Sequence, residues 1–194
     1  MPSTTIAAAP LGIAADYLTW ERSKPKHERS ELFFLKNFDM AGASLKHVKI
    51  SANLLRLISK FLDLDFYTLG LSDLRVNDPL GNYFYPDLVL IKGEPKMLED
   101  SYLDTLTNPH LIVEVLSNST ERLDKEAKFK GYRHIESLQE YVLVGQDAAF
   151  VKSYFRNSQG DWLVGEYYEL MTDVMAFKSV EAAVSLQEIY KGVF

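Results

Sequence analysis

The sequence predicts an α/β fold in which helices pack on a mixed β-sheet, an α+β arrangement. Three segments carry this prediction: an apolar run at residues 110–117 that is typical of a buried strand, a helical pattern at about 121–135, and a second apolar run at 138–144. A helix between two such strands can serve as the crossover that joins parallel strands of one sheet. At 194 residues the chain is long enough for a sizeable core, so we expect a single domain over residues 1–194.

The first half of the chain is predicted to contain two helices and several strands. A breaker at residues 41–43 is followed by Ser44, a residue type that favours the N-cap of a helix. From there apolar residues recur every three or four positions, which predicts an amphipathic helix of about five turns. In chain order we expect a short helix at 13–20, a strand at 31–39, the Ser44 helix with His47, Ile50, Leu54, Leu57, Ile58 and Phe61 on its apolar face, and strands at 65–69, 72–76 and 83–91.

The second half is predicted to alternate strands and helices before it ends in a hairpin. Residues 117–120 offer N-cap side chains for the helix at about 121–135. A turn at 157–160 separates two strand patterns and so predicts a β-hairpin. In chain order we expect a polar loop at 92–109, the strand at 110–117, the helix, the strand at 138–144, the hairpin strands at 151–156 and 162–170, and a short helix at 185–190.

Composition and charge exclude several classes of protein. The absence of cysteine excludes disulfides, thiolate nucleophiles and cysteine-based zinc sites, and fits a cytoplasmic location. No run of 18 apolar residues exists, so we expect no transmembrane helix, and the N-terminus does not have the pattern of a signal peptide. The net charge of −6 argues against an indiscriminate nucleic-acid coat protein but is compatible with DNA as a substrate of a local site.

Two acidic residues interrupt apolar strand patterns. Glu114 stands in the middle of the run at 110–117, where an ionised carboxylate is unfavourable unless it is paired or binds a metal. Asp87 is placed similarly in the strand at 83–91. Two carboxylates on two strands could converge on one cation, and such hard oxygen ligands suit Mg²⁺ or Mn²⁺. For Asp87 the alternative is a structural role, because Pro-Asp pairs are common where strands begin.

Basic and aromatic residues on the following helix could complete a hydrolytic site. Lys128 and Tyr132 are four positions apart and share a helix face, so the ammonium could orient water or neutralise charge on a phosphate. From spacing alone, a surface ion pair between Asp124 and Lys128 is the favoured alternative. Lys125 opens a basic stretch at 125–133 that could meet a phosphate backbone or simply face solvent.

Glu31 and His47 are two further candidates with strong structural alternatives. Glu31 could add a third acid to the site, although an exposed strand end is the more ordinary interpretation of its position. His47 lies at the start of the apolar face of the Ser44 helix, where a lone histidine is more often a hydrogen-bonded core residue than a ligand. The sequence contains no P-loop, Rossmann glycine pattern, G-x-S-x-G or H-E-x-x-H motif.

An ordered set of motifs strongly resembles the Uma2 family (formerly DUF820), which belongs to the PD-(D/E)XK nuclease-like superfamily. The resemblance covers nearly the whole chain. Its motifs are, in order, Met40-Ala41-Gly42-Ala43-Ser44-x-x-His47, Ser72-Asp73-Leu74-Arg75-Val76, Tyr85-Pro86-Asp87-Leu88-Val89, Asn108-Pro109-x-Leu111-Ile112-Val113-Glu114-Val115-Leu116-Ser117, Ser119-Thr120-Glu121-x-x-Asp124-x-x-x-Lys128-Phe129-x-x-Tyr132 and Ile135-x-Ser137-Leu138-Gln139-Glu140-Tyr141-Val142-Leu143-Val144.

The resemblance implies a restriction-endonuclease-like core, αβββαβ, over about 44–146, with an added N-terminal strand segment and a C-terminal β-hairpin. Asp87 and Glu114 would be the two acids of the superfamily and would hold Mg²⁺ or Mn²⁺. The superfamily lysine belongs two residues after the second acid, where this chain has Leu116, and Lys128 is the plausible migrated substitute. Glu31 matches an acid that the family carries before the Ser44 helix.

The implied activity is metal-dependent hydrolysis of DNA phosphodiester bonds, by a homodimer that matches two active sites to two strands. We assign Asp87, Glu114, Lys128 and Glu31 as catalytic candidates, and Tyr132, Lys125 and His47 as substrate-binding candidates. The family commonly has a Gly-Glu pair where Leu35-Lys36 stand here. The missing lysine after Glu114 and the acidic net charge favour an alternative, a non-catalytic relative that binds nucleic acid or protein. An aromatic content of 12% also permits a purely structural dimer whose Phe- and Tyr-rich strands form an interface.

Overall fold

The computed structural model describes residues 14–25, 27–117 and 127–194. The elements are, in chain order, α1 (Ala14–Ser23), β1 (Ser30–Phe33), β2 (Lys36–Asp39), α2 (Leu45–Ile58), a 3₁₀ turn (Ser59–Phe61), β3 (Tyr67–Leu71), β4 (Arg75–Asn77), β5 (Tyr83–Phe84), β6 (Leu88–Lys92), β7 (Thr105–Leu106), β8 (Leu111–Leu116), α3 (Phe129–Tyr132), β9 (Glu140–Gly145), β10 (Val151–Arg156), β11 (Trp162–Tyr168), β12 (Val174–Phe177), β13 (Ala182–Ser185) and α4 (Leu186–Ile189).

The predicted helix, three strands, helix and strand are present as α2, β3, β6, β8, α3 and β9. The strands lie in a six-stranded sheet with the order β11-β10-β9-β8-β6-β3. β6 pairs antiparallel with β3 and β8, whereas β8 pairs parallel with β9. A parallel pair needs a crossover connection, and the segment that contains α3 supplies it. The α+β fold class with a mixed sheet is thereby confirmed.

Helix α2 begins as predicted and ends earlier. The Ser44 side chain accepts a hydrogen bond from the His47 N–H at 3.1 Å, which satisfies one of the amides left free at a helix start. The buried face consists of Ile50, Leu54, Leu57 and Ile58. The chain tightens into the 3₁₀ turn after Ile58, so Phe61 is 48% exposed and does not belong to this face.

The strand predicted at 31–39 is a hairpin, because β1 and β2 pair antiparallel. The turn between them places Phe34 and Leu35 at φ 49° and 61°, the backbone region usually taken by glycine or asparagine. The sequence lacks those residues here and therefore gives no turn signal. This hairpin forms one edge of a five-stranded sheet, β2-β1-β5-β4-β7, that the sequence pattern does not predict.

The strand predicted at 83–91 is divided between the two sheets. β5 pairs with β4 in the five-stranded sheet, and β6 pairs with β8 in the six-stranded sheet. Asp87 lies between them, one residue before β6. The chain therefore passes from one layer to the other immediately beside the first predicted acid.

The C-terminal region contains the predicted hairpin, β10–β11, and a second, unpredicted hairpin, β12–β13. Of the helix predicted at about 121–135, residues 121–126 lie outside the described part of the chain, and α3 covers four residues of the remainder. No helix among the described residues is long and apolar enough to cross a membrane.

Alternation along β8 separates two buried clusters. Leu111, Val113 and Val115 pack with α2, β12, β13 and α4 on one face of the six-stranded sheet. Ile112 and Leu116 pack on the other face, against the five-stranded sheet and Tyr132. Glu114 lies between these last two residues in sequence and so points into the layer between the sheets.

Candidate active site

Glu114 is a buried carboxylate in the interior of the structure, with 3% of its surface exposed. It lies in β8, which pairs antiparallel with β6 on one side and parallel with β9 on the other. Leu116, at the position of the superfamily lysine, is equally buried and belongs to the apolar cluster. A cationic partner for Glu114 must therefore come from another element.

Lys128 is that partner. Its Nζ lies 3.3 Å from Glu114 Oε1 and 2.9 Å from Glu31 Oε1, so the ammonium bridges two carboxylates. Lys128 is 6% exposed, so it does not lie at the surface, as the ion pair favoured by its spacing alone would require. Asp124, the other member of that pair, lies outside the described residues, as does Lys125.

Tyr132 supplies a second donor to Glu114. Its hydroxyl donates to Glu114 Oε1 at 2.9 Å, and the side chain has no exposed surface. Burial, together with the negative charges of Glu114 and Glu31, raises the pKa of Tyr132 far above its usual range. The phenol therefore stays protonated and donates at any working pH. The Tyr132 side chain is enclosed, and its hydroxyl serves Glu114.

Glu31 enters the site from the five-stranded sheet. It is 5% exposed, so the expectation of an exposed strand end is wrong. Its Oε1 accepts hydrogen bonds from the Tyr85 N–H at 2.8 Å and is the nearer acceptor of Lys128. The sequence could not give this placement because it depends on the β1–β2 hairpin and on the second sheet.

Asp87 and His47 form the more accessible edge of the site. Asp87 Oδ2 accepts from the Val115 N–H at 2.7 Å, and Asp87 Oδ1 lies 2.9 Å from His47 Nε2. The side chains of Asp87 and His47 are 12% and 17% exposed. Leu88 pairs with Val113, and this register carried one residue further places Asp87 opposite Glu114. Through the Val115 N–H, Asp87 contacts β8 at the residue that follows Glu114.

The donor set suits a divalent cation that also keeps water ligands. Lys128 lies between Glu31 and Glu114, so a positive charge is already accommodated beside the Glu114 carboxylate. Within residues 14–25, 27–117 and 127–194, no three histidine or acidic side chains form a ready-made metal cluster. Mg²⁺ commonly binds proteins through only one or two carboxylates, so Asp87 and Glu114 fit this ion.

Arg75 and Tyr85 support the site and were not singled out by the sequence as functional residues. The buried guanidinium of Arg75 donates to the Tyr85 hydroxyl through Nε at 3.0 Å and Nη2 at 2.7 Å. Burial raises the pKa of Tyr85 to about 12 in spite of this cation. Because the Tyr85 backbone also holds Glu31, the contact fixes the segment that leads to Asp87. The signal in the sequence that could have identified them was Arg75, a charged residue within the strand pattern at 72–76.

Comparison with known proteins identifies similar sequences and a similar fold. The sequence model of Uma2, described as "Putative restriction endonuclease", matches residues 14–186. Two relatives from Synechocystis sp. are similar over most of their length. "Uncharacterized protein sll1609" is 37% identical over 162 residues, covering 83% of this chain and 90% of that protein. "Uncharacterized protein slr1290" is 35% identical over 180 residues, covering 92% of this chain and 90% of that protein.

A solved structure has the same fold. It is the crystal structure of "a putative nuclease belonging to DUF820" from Anabaena variabilis, with a TM-score of 0.70 and 14% sequence identity. The superposition covers 94% of this chain and 99% of that one. At this identity the likeness concerns the fold, and the fold and the family description agree on a restriction-endonuclease-like architecture.

Proposed function

This chain belongs to the Uma2 family, and we propose that it is a Mg²⁺- or Mn²⁺-dependent endonuclease that hydrolyses phosphodiester bonds of DNA. One observation carries the proposal. Lys128 reaches Glu114 from outside β8 and so supplies the cation that Leu116 cannot provide. Two acids that could hold a metal ion and a lysine beside them suit metal-assisted hydrolysis of a phosphodiester bond.

Asp87 and Glu114 would hold the metal ion. When bound, such an ion polarises a phosphoryl oxygen and lowers the pKa of a bound water. The contacts of the two acids favour this role because each carboxylate is oriented by protein donors. Asp87 is oriented by the Val115 N–H and His47, and Glu114 by Tyr132.

Lys128 would act on the charge that develops at the phosphate. Its ammonium is buried beside Glu114, where water screens it poorly and its field is strong. Glu31 holds this ammonium at 2.9 Å and is itself fixed by the Tyr85 N–H, so it serves to position the lysine. A homodimer belongs to the same proposal, since two active sites would serve the two strands of DNA.

The test compares cleavage of supercoiled plasmid DNA by the wild type and by Glu114→Gln, with Mg²⁺ or Mn²⁺. The substitution keeps the shape of the side chain but removes the charge that would hold the ion. We expect a loss of about 10²–10³-fold in rate, the range found when one electrostatic contact to a reaction is removed. Glu136→Gln, at an exposed position, is the matched control and should cleave like the wild type.

Equal cleavage by Glu114→Gln and the wild type would reject this site. Retention of DNA by a wild-type protein that never cuts it, with or without metal, would support a binding module instead.

A further inference from the structure

The Lys128 ammonium lies between two buried carboxylates, Glu31 and Glu114. We propose that the Lys128 ammonium and a divalent ion compete for Glu114, so that an ion held by Asp87 and Glu114 would shift the ammonium from Glu114 onto Glu31. This inference rests on the proposed function, since it concerns the ion that the nuclease would use. It gives Glu31 a distinct task as the anchor of the displaced lysine.

The distances indicate which contact would be released. Lys128 Nζ is 2.9 Å from Glu31 Oε1 but 3.3 Å from Glu114 Oε1, so the contact with Glu114 is the longer one. Glu114 Oε1 also accepts the Tyr132 hydroxyl at 2.9 Å. An ion at this oxygen would compete with both donors, and the contact of Lys128 is the longer of the two.

Charge gives a second reason for displacement. Glu114, Glu31 and Lys128 are each at least 94% buried, and charges in such surroundings interact strongly. Coordination through either oxygen of Glu114 would place a divalent charge within a few ångströms of the ammonium. Movement of Lys128 towards Glu31 relieves this repulsion and keeps the ammonium paired with a carboxylate.

Glu31 is suited to act as the anchor because it is already held in place. Its Oε1 accepts the Tyr85 N–H at 2.8 Å, and the Tyr85 ring is fixed in turn by Arg75. A lysine that moves onto Glu31 therefore meets an acceptor that does not have to reorganise. Binding of the ion and the position of the Lys128 ammonium would thereby be coupled through Glu114.

The experiment measures Mn²⁺ binding by isothermal titration calorimetry in the wild type, Lys128→Met and Lys130→Met. Methionine matches the length of lysine without its charge, and Lys130 is an exposed lysine on the same helical segment. We expect Lys128→Met to bind Mn²⁺ at least about tenfold more tightly than the wild type, because no ammonium competes with the ion for Glu114. Lys130→Met should stay within about threefold of the wild type.

A double substitution separates an anchor from a metal ligand. In the Lys128→Met background, Glu31→Gln should change Mn²⁺ affinity less than about threefold, because there is no lysine left to anchor. A large loss there would make Glu31 a ligand and overturn its role as an anchor. If Lys128→Met does not fold, Lys128→Gln provides the same comparison with a polar side chain.

The outcomes separate this inference from the function on which it rests. A wild type that binds Mn²⁺ and a Lys128→Met protein that binds it no more tightly would overturn the inference and leave the metal site standing. Absence of Mn²⁺ binding in both proteins would overturn both.

Discussion

The hydrogen bond from Tyr132 to Glu114 can be removed with almost no change of shape. Tyr132→Phe deletes only the hydroxyl that donates to Glu114 Oε1 at 2.9 Å. The ring stays in place, packed at 4.4 Å between centroids from Phe84. The buried carboxylate then loses one of its donors, and no exposed surface offers water as a replacement.

The expected magnitude follows from the charge of the acceptor. A hydrogen bond to a charged group stabilises a protein by about 1.5–3 kcal/mol, and this donor serves a carboxylate that is 3% exposed. For a chain of this size each kcal/mol lowers the melting temperature by about 2–4 °C. Tyr132→Phe should therefore lower Tm by roughly 3–12 °C.

Urea and thermal unfolding at pH 7 measure this change, with Tyr154→Phe as the matched control. The Tyr154 hydroxyl makes no hydrogen bond within the described part of the chain, and its ring stacks on Phe129 at 4.3 Å. The control should change the free energy of unfolding by less than about 0.5 kcal/mol. If the two variants are equally stable, Tyr132 does not stabilise the Glu114 carboxylate and the reasoning about the site is wrong.

Three further predictions concern the β1–β2 turn, the contact of Gly131 in α3 with Asp78, and another buried acid, Glu140. Leu35→Gly should raise Tm by about 1–3 °C in calorimetry, because Leu35 has a φ of 61° that glycine adopts freely. The control Leu80→Gly, at a position without a positive φ, should lower Tm. A change of Tm in the same direction for both variants would contradict the argument. Gly131→Ala should lower the free energy of unfolding in urea by about 1–3 kcal/mol, since its Cβ would lie 2.7 Å from Asp78 Oδ2; an unchanged midpoint would show that the contact relaxes freely. Burial raises the pKa of Glu140, so its ionisation destabilises the folded state increasingly as the pH rises above the ordinary carboxyl pKa. Glu140→Gln should therefore have a higher Tm than the wild type at pH 8 but not at pH 4. An equal difference in Tm at both pH values would refute this.

The core of the fold is predictable because its signals are local. Ser44 caps α2, and the apolar spacing that follows gives the buried face of that helix. The apolar runs of β8 and β9 with a helix between them predict their parallel pairing. The five-stranded sheet is different, since its strands are two to four residues long and its hairpin turns at Phe34 and Leu35 without glycine. Short strands carry too few alternating positions to give a pattern.

The candidate site is only partly predictable for a similar reason. The unfavourable burial of Glu114 is visible in the sequence, because an acid interrupts an apolar run. The lysine that compensates it is not visible, since the distance from Lys128 to Glu114 depends on how the helical segment packs on the sheet. The burial of Glu31 depends on a second sheet, and one of its donors is the backbone N–H of Tyr85, which any residue other than proline could supply.

The position of the metal ion tests the central claim most directly. Anomalous diffraction from crystals soaked in Mn²⁺ locates this ion independently of activity. We predict a peak at bonding distance, roughly 2.1 Å, from carboxylate oxygens of Asp87 and Glu114, with the Lys128 ammonium on Glu31 alone. A peak at other residues, or none at a Mn²⁺ concentration that supports cleavage, would contradict the claim that these two acids form the metal site.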